Sequence, residues 1–175
     1  MKSLLLCCSL ILSSVQVFAE KQKKTSKVWE VELVPSRSSE GKGAVLYATK
    51  PLDRFYIVLR NVSGKDQRVW REWCSWGYDN VRLTAELEDG TKVTLTKAPK
   101  DWDKNYPDAF LVPAGQPYVI EVHLAGAIWK GVDKLPKTPF KLTVTYEIKK
   151  TPEAEQKKVW TGSAASKPLT VTLRQ

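Results

Sequence analysis

The sequence predicts an all-β domain, an antiparallel β-sandwich of eight to ten strands. Three observations predict it: apolar residues recur at every second position in six segments, Pro, Gly, Asn and Asp punctuate the gaps between them, and no stretch of useful length has helical periodicity. The first segment sets Trp29, Val31 and Leu33 against Glu30 and Glu32, and the second sets Phe55, Ile57 and Leu59 against Arg54, Tyr56 and Arg60. Val81, Leu83, Ala85 and Leu87 alternate with Arg82, Thr84 and Glu86, the cleanest pattern for a strand with one buried face. Tyr118, Ile120, Val122 and Leu124 make a fourth strand, Phe140, Leu142, Val144, Tyr146 and Ile148 a fifth, and Leu169, Val171 and Leu173 a sixth. Weaker strands are expected at 44–48, 68–74, 91–96 and 109–112. One buried face per strand, with frequent turns, favours a sandwich over a closed barrel.

The turn at Asp89-Gly90 can be read to the level of register, because a one-residue slip moves every side chain to the other face. A two-residue loop would pair Glu86 with Val93 and place that valine on the polar face. A three-residue loop, Glu88-Asp89-Gly90, pairs Leu87 with Thr91, Ala85 with Val93 and Leu83 with Leu95, and Gly90 supplies the positive φ of a bulge. The three-residue form is expected.

Residues 1–19 have the tripartite pattern of a secretory signal peptide: Lys2, an apolar run from Leu4 to Val15, and Val17-Phe18-Ala19 before Glu20. Cleavage after Ala19 would leave a basic leader, 20–27, and a domain over 28–175, with no membrane span, because the apolar run is short for a bilayer. It would also remove Cys7 and Cys8, leaving Cys74 as a lone thiol. An exported chain without disulfides is expected in a bacterial envelope, secreted or periplasmic, more than in eukaryotic secretion. The formal charge of +9 comes from lysines interleaved with Asp and Glu. That makes a solvated basic surface, and the stripe of a nucleic-acid binder is missing.

A strand running into Asn61-Val62-Ser63-Gly64, a strand closing on Asp89-Gly90, and Leu111-Val112-Pro113-Ala114-Gly115-Gln116 leading into Tyr118–His123 resemble the immunoglobulin-like β-sandwiches of bacterial envelope proteins. In outline the arrangement is similar to the intracellular-proteinase-inhibitor type domain of bacilli. The resemblance covers roughly residues 54–124 and implies a fold rather than an activity. The Trp-rich segment 70–76 departs from the inhibitor pattern, and no functional residue is carried over.

Catalytic chemistry finds little support. His123 is the sole histidine, so a two-His metal site is excluded, and it falls in the polar phase of its strand, as a surface residue would. Cys74, between Trp73 and Ser75-Trp76, reads as a small buried hydrophobe. Asp101, Asp103 and Asn105 space three oxygen ligands like the opening of a calcium loop, but Tyr106 stands where the turn glycine is needed and Val112 where the bidentate Glu should be. An ordinary acidic loop is expected, with no metal and no cofactor. Asn61-Val62-Ser63 is a formal glycosylation sequon whose turn role suffices to explain it.

Tryptophan is the unusual feature. There are seven, and three of them, Trp70, Trp73 and Trp76, fall within one short segment. In a regular strand Trp70, Cys74 and Trp76 would share one face and Trp73 the other; in a turn of helix all three indoles would be neighbours. With Tyr78, Asp79, Asn80, Trp102 and Tyr106 they could form an aromatic platform fringed by amides and carboxylates, the chemistry that holds sugars. Trp129 and Trp160 read as structural anchors. The expectation is therefore a non-catalytic binding or interaction module for a protein or polysaccharide, with Trp70, Trp73, Trp76, Tyr78, Trp102 and Tyr106 as candidate ligand contacts. Two alternatives stand beside it: a carbohydrate-binding module, which needs at least two coplanar, exposed indoles, and a proteinase inhibitor, which needs a protruding loop such as 35–43.

Overall fold

Alternation of apolar and polar residues is what builds the two sheets of this protein, and the inward phase of each strand meets the inward phase of another in a single core. The computed structural model describes residues 27–35, 37–38, 44–47 and 54–174. Residues 1–19, where a signal peptide is expected, most of the segment 20–27 and most of the loop 35–43 lie outside the described residues. Among the described residues there are thirteen strands: β1 (Trp29–Val34), β2 (Arg37–Ser38), β3 (Ala44–Tyr47), β4 (Phe55–Asn61), β5 (Gln67–Trp70), β6 (Val81–Glu86), β7 (Lys92–Lys97), β8 (Ala109–Val112), β9 (Pro117–Val122), β10 (Trp129–Lys130), β11 (Phe140–Ile148), β12 (Gly162–Ala165) and β13 (Leu169–Arg174). No described helix is long and apolar enough to cross a membrane.

One sheet has the order β1-β4-β9. The larger runs β10-β7-β6-β11-β13-β3-β2, with β12 also paired to β11, and β5 and β8 form a separate ribbon. Every pairing is antiparallel except β13 with β3, which is parallel. Trp29, Val31, Leu33, Ile57, Leu59 and Ile120 from the small sheet share one core with Leu83, Ala85, Leu95, Leu142, Val144 and Val171 from the large one, the face-to-face packing of a sandwich. The nine-residue β11 is the spine: β6 lies along one side, while β13 and β12 divide the other.

The ten segments expected to be strands are all strands, and the hairpin has the three-residue loop. Leu83 pairs with Leu95 and Ala85 with Val93, the Leu87 N–H donates to the Thr91 carbonyl, and Gly90 has φ +83°. The segment 68–74 is shorter than expected, because pairing with β8 stops at Trp70 and the chain turns into a one-turn helix, α1 (Ser75–Tyr78). A second helix, α2 (Pro152–Gln156), interrupts the connection 149–158. It is signalled locally, by the Thr151 cap accepting from the Ala154 N–H and by Pro152 at its first position. Five residues are too few for a periodicity to show.

Asn61 shows why the turn after β4 has its sequence. The residue is fully buried. Its Nδ2 donates to the carbonyls of Lys65 at 2.7 Å and Val112 at 3.0 Å, and its Oδ1 accepts from the Ser63 N–H at 3.1 Å. One amide thereby closes the turn and ties it to β8. Asn61→Ala would leave these groups buried and unpaired; we expect a loss of about 2–4 kcal/mol, since each orphaned buried polar group costs about 1–3 kcal/mol. Chemical denaturation checks it, with Asn61→Asp as the companion that keeps the acceptor and loses the donor.

Candidate functional site

The segment 71–80 crosses one end of the sandwich and organises everything unusual about the surface there. It can do so only by tight backbone packing: a Cβ on Gly77 would lie 1.9 Å from the Arg71 carbonyl oxygen, so no other residue fits without movement. The Arg71 oxygen accepts from the Cys74 N–H at 3.4 Å and from the Cys74 thiol at 3.2 Å. Cys74 is thus buried, with its S–H used locally. Asn105 fastens the neighbouring loop to this crossing, accepting from the Ser75 N–H at 3.0 Å and donating to Ser75 Oγ at 2.7 Å. Both ends of the Asn105 amide are thereby engaged in structure, while Asp101 and Asp103 stand exposed.

The six candidate contacts do not form one platform. Trp70 is buried, and Trp76, half-buried, meets it at 6.2 Å with the rings tilted by 41°. Trp73 is 64% exposed on the opposite side of the crossing. Tyr78 and Trp102 meet edge to face at 5.6 Å, with the Lys100 ammonium 4.6 Å from the Trp102 ring and that of Lys97 4.6 Å from the Tyr78 ring. Tyr106 is 74% exposed. The division follows from the break at Trp70: neither a continuous strand nor a continuous helix carries the three indoles, so they point in different directions.

On the Trp73 side the rings make a ladder into the interior. The Arg71 guanidinium lies 4.7 Å from the Trp73 ring and 4.7 Å from the Phe110 ring, and Phe110 meets Tyr118 edge to face at 4.9 Å. Asp108 holds the outer rung, accepting from Trp73 Nε1 at 3.1 Å and pairing with Arg71 Nε at 3.3 Å. At the inner end the Tyr118 hydroxyl donates to Glu72 Oε1 at 2.9 Å. Burial pushes the Glu72 carboxyl above the usual range, and the Tyr118 hydrogen bond and the Lys97 charge pull it back. Burial pushes the Lys97 ammonium down, opposed by Glu72 and Asp79. Burial, then the Glu72 charge, raise the Tyr118 hydroxyl out of reach of physiological pH. This assembly is mutually satisfied and reads as a brace.

On the Trp76 side there is a cleft of about 400 Å³, within the range of small-molecule sites. Trp70, Trp76, Val81 and Ile148 supply its apolar wall. Asp79, Asn80, Arg82, Lys97, Glu147 and Lys149 supply charge and amide groups, and Ser75, Thr96 and Thr151 supply hydroxyls. Glu147 pairs with Arg82 at 3.8 Å, and the Glu147 N–H donates to the Asn80 carbonyl at 2.8 Å, which joins the crossing to β11. Asn80 is 9% exposed, and its buried amide lies against the buried Tyr146 hydroxyl. Sequence reasoning reached Trp70, Trp76, Asp79 and Asn80. It missed Arg82, Thr96, Lys97, Glu147 and Lys149, which arrive from three other strands or loops and carry no local signal.

His123, expected at the surface, is half-buried with Nε2 enclosed and unpartnered among the described residues. It stays in the outward phase, between buried Val122 and Leu124, but neighbouring residues partly cover it. Trp129 is buried, as an anchor should be. Trp160 is another, stacked on Tyr146 at 6.2 Å and 7° and edge-on to Trp29 at 6.0 Å.

Tyr118→Phe removes a donor from a half-buried carboxylate, which is expected to cost about 1.5–3 kcal/mol at neutral pH, the range for hydrogen bonds to charged groups. The hydrogen bond favours the ionised form, so the cost should shrink as pH falls through the raised Glu72 pKa, where a neutral acid accepts more weakly. Denaturation of both proteins across pH 4–8 checks sign and size. Comparison of the chain with protein-family models, with curated proteins and with solved structures gave no match.

Proposed function

We propose that this chain is an exported, non-catalytic binding module that takes a sugar unit of a polysaccharide in the cleft beside Trp76. The observation that carries the reading is the lining of that one cleft: a half-exposed indole wall at Trp76, the Asn80 amide, and side chains of both charges. An indole offers an apolar face to the C–H side of a pyranose, and amide, carboxylate and guanidinium groups exchange hydrogen bonds with its hydroxyls. The two cleft carboxylates favour binding over hydrolysis. Glu147 is already paired with Arg82, and Glu72, the one carboxyl among the described residues that burial raises, is taken up by Tyr118. The platform of several coplanar indoles gives way to a pocket with one stacking wall.

A glycan-binding screen of the mature protein tests this. Trp76→Ala and Arg82→Ala should each weaken binding of a hit by about tenfold or more, a loss of about 1.4 kcal/mol, whereas Trp73→Ala and Tyr106→Ala should leave it within about twofold. Circular dichroism melting of each variant shows that the fold is intact. Loss of binding in Trp73→Ala with retention in folded Trp76→Ala would reverse the assignment.

A further inference from the structure

The cleft beside Trp76 is electrically balanced, although the chain as a whole carries a formal charge of +9. Arg82, Lys97 and Lys149 line it against Asp79 and Glu147, and Glu72 joins Asp79 in keeping the Lys97 ammonium charged. The acids therefore match the bases in number. In a protein so rich in lysine, a site for an anionic ligand would be expected to keep an excess of positive charge, and this one does not.

Within that balance one pair is placed for a particular chemistry. Arg82 on β6 stands opposite Thr145 on β11, so Glu147, two residues further along β11, is its diagonal neighbour on the same outer face. The two side chains approach to 3.8 Å, longer than the roughly 2.7–3.2 Å of a hydrogen bond. The guanidinium thus keeps its donors, and the carboxylate its acceptors, for a third group. Both residues sit on paired strands, and the Glu147 N–H donates to the Asn80 carbonyl at 2.8 Å. The pair is held in place before anything binds, which lowers the ordering that binding requires. Both side chains are half exposed and share one lining with the Trp76 indole.

A guanidinium can only donate hydrogen bonds and an ionised carboxylate can only accept them. Side by side, they are satisfied together by groups that both give and take, and hydroxyls do so. A carboxylate on the ligand would be attracted by Arg82 and repelled by Glu147, and an ammonium the reverse. We infer that the Arg82–Glu147 pair recognises two adjacent hydroxyls of a neutral pyranose, one donating to Glu147 and the other accepting from Arg82, while Trp76 covers the apolar face of the ring. The inference rests on the sugar reading of the cleft and narrows it: the unit bound is uncharged, neither a uronate nor a sulfated sugar.

Four probes test it, each titrated into the isotope-labelled mature protein: cellotetraose and mannotetraose, which are neutral with adjacent hydroxyls; tetragalacturonate, which is acidic; and cellotetraose methylated at every hydroxyl, which cannot donate. A neutral tetrasaccharide should shift the amide signals of Asn80, Arg82 and Glu147, with a Kd that changes by less than about twofold between about 0.05 and 0.5 M salt. Tetragalacturonate and the methylated sugar should bind at least about tenfold more weakly. Glu147→Gln decides the sign. It should weaken the neutral sugar by about tenfold, whereas a site for an acid would hold tetragalacturonate more tightly once that charge is gone. Arg82→Lys keeps the charge but loses the planar fork, and should weaken the neutral sugar to a similar degree. The pair is half exposed, so melting of both variants should be nearly unchanged. The inference is overturned by tighter binding of tetragalacturonate than of either neutral sugar, by equal binding of the methylated sugar, by indifference to Glu147→Gln, or by silence with all four probes. Trp76→Ala separates this failure from that of the sugar reading: tetragalacturonate binding that is lost in folded Trp76→Ala would leave the cleft a sugar site and remove its neutral diol alone.

Discussion

The close approach of Gly77 to the Arg71 carbonyl is the constraint on which the Trp-rich end of this molecule depends. Because the two backbones touch, residues 71–80 form a compact crossing rather than a long loop. The compactness puts Cys74 inside, turns Trp76 back onto Trp70, and sends Trp73 outward onto Arg71. A longer crossing would let the three indoles spread over the sandwich end. A tight one separates them into a cleft wall and a brace.

The brace and the cleft share few parts, and that gives the site its rigidity. The ladder from Trp73 through Arg71, Phe110 and Tyr118 ends on Glu72, whose charge helps hold the half-buried Lys97 in its ionised form. Lys97 in turn lines the cleft. A ligand there would meet an ammonium positioned from behind, with little ordering left to do on binding. The apolar wall is equally fixed, since Trp70 is buried beneath Trp76 and β11 closes the far side through the Asn80–Glu147 backbone bond.

Most of the fold could be read from the sequence because sandwich strands obey a two-residue rule that a buried face enforces. The hairpin at Asp89-Gly90 was legible to the exact pairing, since Leu83, Ala85, Val93 and Leu95 agree on a face in one register alone. Legibility failed where that rule has no purchase. The four small residues of β12 show no alternation, β10 has two residues, and the turn after Trp70 is dictated by a backbone contact that no side-chain pattern announces. The candidate site was half legible for the same reason. Trp70, Trp76, Asp79 and Asn80 are local, whereas Arg82, Lys97 and Glu147 reach the cleft through the pairing of β6 with β7 and β11. The extended loop on which an inhibitory role would rest lies largely outside the described residues.

The measurement that tests the central claim most directly is the stability and structure of Gly77→Ala, followed by denaturant titration and by amide shifts of residues 70–82. The added methyl must displace the Arg71 backbone, so overpacking should cost about 1–3 kcal/mol or more, with shifts concentrated at Arg71, Cys74, Trp76 and Asn80 and the β1-β4-β9 sheet unmoved. A variant as stable as the wild type, with an undisturbed segment 70–80, would contradict the account.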